Sequence, residues 1–331
     1  MVTLTAIDSI LKEKLEAKCN ISGEITYYDF IDCLLYDPQV GYYLKQKKRV
    51  GYSSDTDFYT AESLGSLFQK LLLAAIKTLL GKNSLKEYTF VEIGTEPGHT
   101  IISDITDSFK NVLLLRVQDE WHIPQSSIVF SNELFDAQPF YRLVFKDGKW
   151  HEKVIQLKDN SINELLRTNI SPPLENWLKK LPKEHIEDYQ LDIPFGAEVL
   201  FKKMAQSIKE GLFITFDYGK NWGNLVYETH QGTARGYYKH TQVNNLLLNL
   251  TEQDITYHIC WDLLEHILKE ENYQNIVLES QESFFVKHSS QAIEKIISEQ
   301  SSALNKERLT LMELIHPSKM GQKFQILRGV R

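Results

Sequence analysis

The sequence predicts an α/β protein built on a mostly parallel sheet with both faces covered. Three observations predict it. First, several short segments are apolar throughout rather than alternating: YTFVEIG (88–94), NVLLLRV (111–117), SIVFSN (127–132) and LFITFDYG (212–219). Continuous apolar strands are those buried on both faces, as in parallel sheets. Second, helical patterns stand between strands, and GAEVLFKKMAQSIKEG (196–211) runs straight into LFITFDYG. Third, three strands end in informative residues: Glu92 and Gly94, Asn132 and Glu133, Asp217 and Gly219. Ligands of an open α/β sheet gather beyond the carboxyl ends of its strands.

Composition sets the bounds. The chain has 331 residues, 42% hydrophobic and 24% charged, which suffices for one large domain with additions. The net charge is -7 and the pI about 5.8, and a nucleic-acid partner would call for a basic stripe. The one basic run, Lys45 to Arg49, is short and reads as a solvated loop. Three widely spaced cysteines (Cys19, Cys33, Cys260) supply neither a disulfide framework nor a zinc motif and fit a reducing compartment. The opening MVTLTAIDSILKEKLEAK mixes acids and bases at helical spacing, unlike a signal peptide. No apolar run approaches the roughly 18 residues of a membrane span. The expectation is a cytoplasmic protein with no nucleic-acid partner and no membrane span.

Residues 3–19 and 26–36 read as amphipathic helices, with Thr26 as N-cap of the second. Residues 37–60 form a polar and aromatic loop. LGSLFQKLLLAAIKTLL, ending at Gly81, is a buried helix. Thr100 to Phe109 reads as a short helix. YRLVFKDGKWHEKVIQL (141–157) alternates around Lys146-Asp-Gly-Lys149 and reads as a β-hairpin, followed by the helical SPPLENWLKKL. After residue 219 come a glycine-containing loop, DITYHI, a helix near 261–270, strand NIVLES, a helix pair and a final strand KFQILRGV. The expected division is a helical cap over 1–84, a core over 85–290 with an insertion at about 141–195, and C-terminal helices with the last strand over 291–331.

Four motifs carry candidate chemistry. VEIGTEPGHT (91–100) is a strand-to-helix turn. Gly94 permits the turn, Gly98 permits close backbone approach to a nucleotide-containing cofactor, and Thr100 can cap. An ordinary βα turn looks similar, and the third glycine of a dinucleotide fingerprint is missing, which argues against NAD. In SNELFDAQP (131–139), Asn132 can orient an acceptor, and Glu133 and Asp136 can hold or deprotonate a nitrogen nucleophile. On spacing alone, a polar strand end with an N-cap is the stronger reading. FDYG (216–219) places Asp217 and Tyr218 at a strand tip, and GTARGYYKH (232–240) groups Arg235 and His240 with aromatics. Turn chemistry and a structural histidine account equally for these. No G-x-S-x-G, H-E-x-x-H or P-loop occurs.

Together these segments resemble the MidA-like group of class I S-adenosylmethionine-dependent methyltransferases, which includes the mitochondrial protein-arginine methyltransferase of complex I assembly. ITYYDFIDCLLYDPQVGYY (25–43) resembles its N-terminal signature, with Tyr36, Asp37, Pro38, Gly41, Tyr42 and Tyr43 in place. DFYTA (57–61) is similar to its Gly-Asp-Phe-x-Thr-Ala loop, and SNELFDAQP to its Asn-Glu-x-x-Asp-Ala-x-Pro segment. FDYG, GTARGYYKH, DITYHICW and HPSKMGQKF (316–324) succeed one another in family order. The resemblance implies a Rossmann-like, class I methyltransferase sheet and methyl transfer from S-adenosyl-L-methionine to a protein side-chain nitrogen, arginine above all. It implies cofactor contacts at Glu92, Gly94, Gly98 and an acid at Asp119 or Glu120. Acceptor contacts would come from Asn132, Glu133 and Asp136. Asp57, Phe58, Thr60, Asp217, Tyr218, Arg235 and His240 would serve as substrate or loop residues.

The sequence also departs from the family. Glu96 stands at the middle glycine of the turn, Thr56 replaces a glycine, and Glu62 and Ser63 fall at the family proline and glutamate. Only about ten residues separate Val117 from Ile128, fewer than a helical crossover needs. The third strand of the family sheet and its helix are therefore expected to be missing. These departures keep a second function in view: a catalytically reduced relative that works as a binding or assembly factor for a protein partner.

Overall fold

The computed structural model describes residues 2–3, 9–45, 65–95, 100–159, 161–298 and 306–331. They divide into two compact units. One comprises Tyr59–Leu134, Phe201–Gly219 and Trp261–Arg331, the other Met1–Phe58, Phe135–Leu200 and Lys220–Cys260.

The first unit is built on six strands: β1 (Thr89–Ile93), β2 (Asn111–Leu115), β3 (Ser126–Asn132), β4 (Glu210–Asp217), β5 (Gln274–Ser280) and β6 (Gln325–Val330). Their order across the sheet is β5-β6-β4-β3-β1-β2. β2, β1, β3 and β4 run parallel, and β6 and β5 join antiparallel at one side. The mostly parallel sheet read from the sequence is present. Every residue of β1 is buried, as its unbroken apolar run requires.

One face of the sheet carries Ile128, Phe130, Leu212, Ile214 and Phe216, which pack with Phe68, Leu71, Phe284, Phe285 and Leu314 from the covering helices. Phe216 meets Phe68 edge-on at 5.5 Å between ring centroids. The alternate residues face the other way, where Phe213 meets Phe201 edge-on at 5.4 Å. Gly81 ends helix Ser66–Leu80 at φ +63°, and its N–H donates to Lys77 O.

One expectation for this unit is revised. Thr100–Phe109 is not a helix. It is a run of tight turns with one 3₁₀ turn at Thr106–Ser108, closed by i to i+3 bonds such as Ile105 N–H to Ile102 O and Ser108 N–H to Ile105 O. The stretch SDITDS is rich in side chains that compete for backbone groups, and outside acceptors take the N–H groups of Ile101 and Asp104. The crossover between β2 and β3 is as short as the sequence implies. Residues 116–125 contain neither strand nor helix, so among the described residues β2 is the edge of the sheet, with Leu114 exposed on it. Trp121 fastens this short link. Its indole N–H donates to Arg116 O at 2.9 Å, and the Lys203 ammonium lies 3.8 Å from its ring centroid.

The second unit holds an antiparallel sheet. Tyr141–Lys146 pairs with Lys149–Lys158 through a two-residue turn in which Asp147 and Gly148 both have positive φ. Ser161–Arg167, Gln190–Ile193 and the short strands Val2–Thr3 and Glu24–Thr26 complete it. Val2–Thr3 pairs with Ser161 and Ile162 instead of opening the helix, which is described over Ser9–Lys18. Thr26 caps helix Tyr27–Tyr36 by accepting the Asp29 N–H at 3.0 Å. SPPLENWLKKL forms only a 3₁₀ turn and one turn of helix. A separate three-stranded sheet joins Thr241–Val243, Arg235–Tyr238 and Asp254–Thr256.

Gly211 tests the parallel register directly. A Cβ there would lie 1.8 Å from the carbonyl oxygen of Ser127, at φ +134°. Gly211→Ala is expected to cost about 3 kcal/mol or more. Urea denaturation measures it, and a loss below about 1 kcal/mol would contradict the pairing of β3 with β4.

Candidate functional site

The carboxyl ends of the parallel strands are tied to one another. Gly94 ends β1 at φ +91° and donates its N–H to Leu115 O at the end of β2, at 2.8 Å. A Cβ on Gly94 would lie 2.7 Å from Leu134 Cδ1. The glycine is therefore needed twice, for its backbone angle and for the leucine packed on it.

Leu134 comes directly after Glu133, which has φ +47°, an uncommon angle for a residue with a Cβ. The Glu133 N–H donates to Phe216 O at 2.9 Å and extends the β3–β4 ladder by one bond. The amide Nδ2 of Asn132 donates to Glu133 Oε1 at 3.0 Å. Asn132 Oδ1 is buried and accepts no hydrogen bond from the described residues. One residue earlier on each strand, Ser131 and Thr215 join their hydroxyls across the ladder at 2.8 Å. Asp217, fully buried, accepts the Tyr218 N–H at 2.8 Å.

Glu92 has a definite employment. Its carboxylate accepts from the Thr100 hydroxyl, and from the Ile101 N–H at 3.1 and 3.2 Å to its two oxygens. It thereby fixes the residues just beyond the glycine turn. Asp119 accepts the Arg116 N–H at 2.7 Å and closes its own turn. Glu120 is 89% exposed, beside His122. No enclosed surroundings distinguish it as a ribose acid. Gly98 and Glu96, and Asp57, Phe58 and Thr60 with Thr56, Glu62 and Ser63, lie outside the described residues.

Asp136, Arg235 and His240 belong to the other unit, where several family-like segments meet. Asp136 is 2% exposed, and its carbonyl accepts the Tyr257 N–H at 2.9 Å. Tyr36 donates to Ala137 O at 3.1 Å and accepts from Gln138 Nε2 at 3.0 Å, which fixes the segment that carries Asp136. Tyr43 stacks on Tyr36 and donates to Asp254 Oδ1 at 2.6 Å. Burial first, then Asp254 and Asp136, raises both phenols well above their ordinary range, so they stay protonated donors. The phenols of the Tyr36 and Tyr43 signature and Asp254 of DITYHI were not assigned from sequence. Their mixture of apolar and hydroxylated residues reads as core until the chain is folded.

Asp192 organises the neighbouring GTAR loop. One oxygen takes the N–H groups of Thr233 and Ala234 at 2.7 and 2.8 Å, and the other accepts from the buried Arg142 at 2.7 Å. Arg235 folds its guanidinium onto Ala234 O and Gly232 O. Lys239 and His240 form the exposed tip of the hairpin, both at positive φ.

Several known proteins are similar to this chain. The family described as "Putative S-adenosyl-L-methionine-dependent methyltransferase" matches residues 65–279. A Drosophila melanogaster protein named "Protein arginine methyltransferase NDUFAF7 homolog, mitochondrial" is 22% identical over 316 residues, covering 78% of this chain and 69% of that protein. A Burkholderia thailandensis protein solved with S-adenosyl-homocysteine superposes with a TM-score of 0.85 at 18% identity, over 97% of this chain and 92% of that one. A second Burkholderia thailandensis structure, an uncharacterised protein in its native form, gives 0.81 at 17% identity, over 97% and 91%. These structures share the fold. No helix among the described residues is long and apolar enough to cross a membrane.

His258 supplies a test of the second unit. Burial, with Lys220 and Arg235 adding to it, pushes its imidazole down to about 4. The folded value lies below the unfolded one of 6.5, so between these values the unfolded chain binds a proton that the folded chain does not. Stability therefore falls as pH drops from 6.5 towards 4, by up to about 3 kcal/mol from this group. Denaturation of His258→Gln is expected to show a shallower fall over that window than the parent. An unchanged profile would contradict a buried neutral imidazole.

Proposed function

The chain belongs to the S-adenosyl-L-methionine-dependent methyltransferases, and from that premise we propose that its acceptor is a nitrogen of a protein side chain, arginine first. The observation that carries this reading is Glu133. A residue with a Cβ in the left-handed region costs of order 1–3 kcal/mol and persists where its surroundings over-determine it. Here the ladder bond to Phe216 O and the amide of Asn132 set the carboxylate at the end of a parallel strand. A guanidinium is held best by carboxylates that accept in pairs. The name of the fly relative as a protein arginine methyltransferase supports the same acceptor class.

The residues present fit a polar cofactor at these strand ends. The buried Asn132 Oδ1 is an acceptor suited to a donor-bearing ligand, and Gly94 keeps the end of β1 free of a side chain. When bound, S-adenosyl-L-methionine supplies a methyl group activated by a sulfonium. The chain supplies position. Glu92 holds Thr100 and Ile101, Gly94 and Leu134 set the turn, and Glu133 orients the acceptor so that its nitrogen lone pair is aligned for in-line displacement.

The edge position of β2 among the described residues favours a second reading, that of a binding or assembly factor. A protein partner is implied by both. The fly relative is named as mitochondrial.

Titration calorimetry with S-adenosyl-L-methionine and S-adenosyl-homocysteine is expected to show binding of both. Silence at millimolar ligand would leave only the second reading. Glu133→Gln is expected to leave S-adenosyl-homocysteine affinity within about twofold and to lower methylation of an arginine-containing acceptor protein at least about tenfold. Equal loss of both would remove Glu133 from the acceptor side.

A further inference from the structure

We propose that Gln69 is a positioning residue for S-adenosyl-L-methionine binding, holding the segment 100–104 beyond β1 through Ser103 and Asp104. The proposal rests on the reading that S-adenosyl-L-methionine binds at the end of β1. Gln69 lies on helix Ser66–Leu80, among Leu67, Phe68, Leu71 and Leu72, and is 6% exposed. On such a face a leucine would be the ordinary choice, since a buried amide is tolerated only when its hydrogen bonds are made.

Both ends of the amide are used. The Asp104 N–H donates to Gln69 Oε1 at 2.8 Å, and Gln69 Nε2 donates to Ser103 Oγ at 3.1 Å. A backbone N–H can only donate, so the carbonyl end must face Asp104. The orientation of the side chain is thereby fixed. The Ser103 hydroxyl in turn donates to Asp104 Oδ1 at 3.2 Å.

The segment beyond β1 gives the reason for a glutamine here. A helix would have satisfied its own amides, but this segment is a string of turns and depends on outside partners. Glu92 takes the Ile101 N–H from the strand side, Thr100 Oγ1 takes the Ile102 N–H, and Gln69 takes the Asp104 N–H from the helix side. The segment that emerges from the glycine turn is thus gripped by a strand residue and a helix residue. The grip at Gln69 is the one that the motif VEIGTEPGHT does not announce. It stands some thirty residues upstream in a run that reads as core.

The test is the dissociation constant of S-adenosyl-homocysteine, measured by calorimetry at 10 °C on the full chain, with thermal melts alongside. Gln69→Leu keeps the packing and removes both bonds. It is expected to weaken binding about tenfold, the size expected when two hydrogen bonds that order a binding segment are lost. Ser103→Ala, a milder change at an exposed position, is expected to weaken binding about threefold. Leu72→Ala, a core truncation in the same helix, is expected to lower the melting temperature more than either while leaving the dissociation constant unchanged. Wild-type affinity in both Gln69→Leu and Ser103→Ala would overturn the proposal, as would weakened binding in Leu72→Ala equal to that in Gln69→Leu. A wild-type chain that binds no S-adenosyl-homocysteine would overturn the cofactor reading and this inference with it. Should Gln69→Leu fail to fold, Ser103→Ala decides alone.

Discussion

The contact between Gly94 and Leu134 is the constraint on which the strand ends depend. From it a single path crosses four parallel strands. Leu115 O receives the Gly94 N–H, Gly94 leaves room for Leu134, Leu134 is joined to Glu133, and the Glu133 N–H reaches Phe216 O. Each link is short and sterically exclusive. A side chain on Gly94 would displace Leu134, and with it the left-handed turn that sets Glu133. The polar residues at these tips are therefore placed by packing, and their chemistry derives from a backbone that has little freedom to relax.

The same principle recurs in the second unit, with a charge in place of a leucine. Asp192 and Arg142 form a buried pair, and such pairs contribute specificity more readily than net stability. Here the specificity is visible. Asp192 gathers the N–H groups of Thr233 and Ala234, and a Cβ on Gly232 would lie 2.5 Å from its Oδ2. The first glycine of GTARGYYKH thus serves a carboxylate forty residues earlier in the chain. The second, Gly236, leaves space for Gln253 Oε1, which would lie 2.2 Å from a Cβ there. Neither glycine needs a ligand to explain it.

The features legible in the sequence are those that obey physical periodicity. The parallel strands are written as unbroken apolar runs, and the helix from Ser66 to Leu80 as a buried face with a glycine stop. Thr26 is legible as a cap because capping is local. The short link after β2 is legible because chain length limits what can cross a sheet. Contacts between distant residues are not written this way. Thr100–Phe109 has helical length, yet Glu92 and Gln69 draw its amides outward, and no local pattern shows a partner thirty residues away. The candidate site divides along the same line. The motifs placed Asn132, Glu133 and Asp217 at strand ends, while Tyr36, Tyr43, Asp254 and Asp192 gain a role only through tertiary contacts.

The proposal that the joined strand ends hold the cofactor is open to one direct test. Amide hydrogen exchange of the full chain is measured with and without saturating S-adenosyl-homocysteine. Added protection is expected in the peptides that cover residues 92–104 and 130–135, with little change at the outer strands β5 and β6. Ligand binding that protects other segments and leaves these two unchanged would contradict a cofactor site at these strand ends.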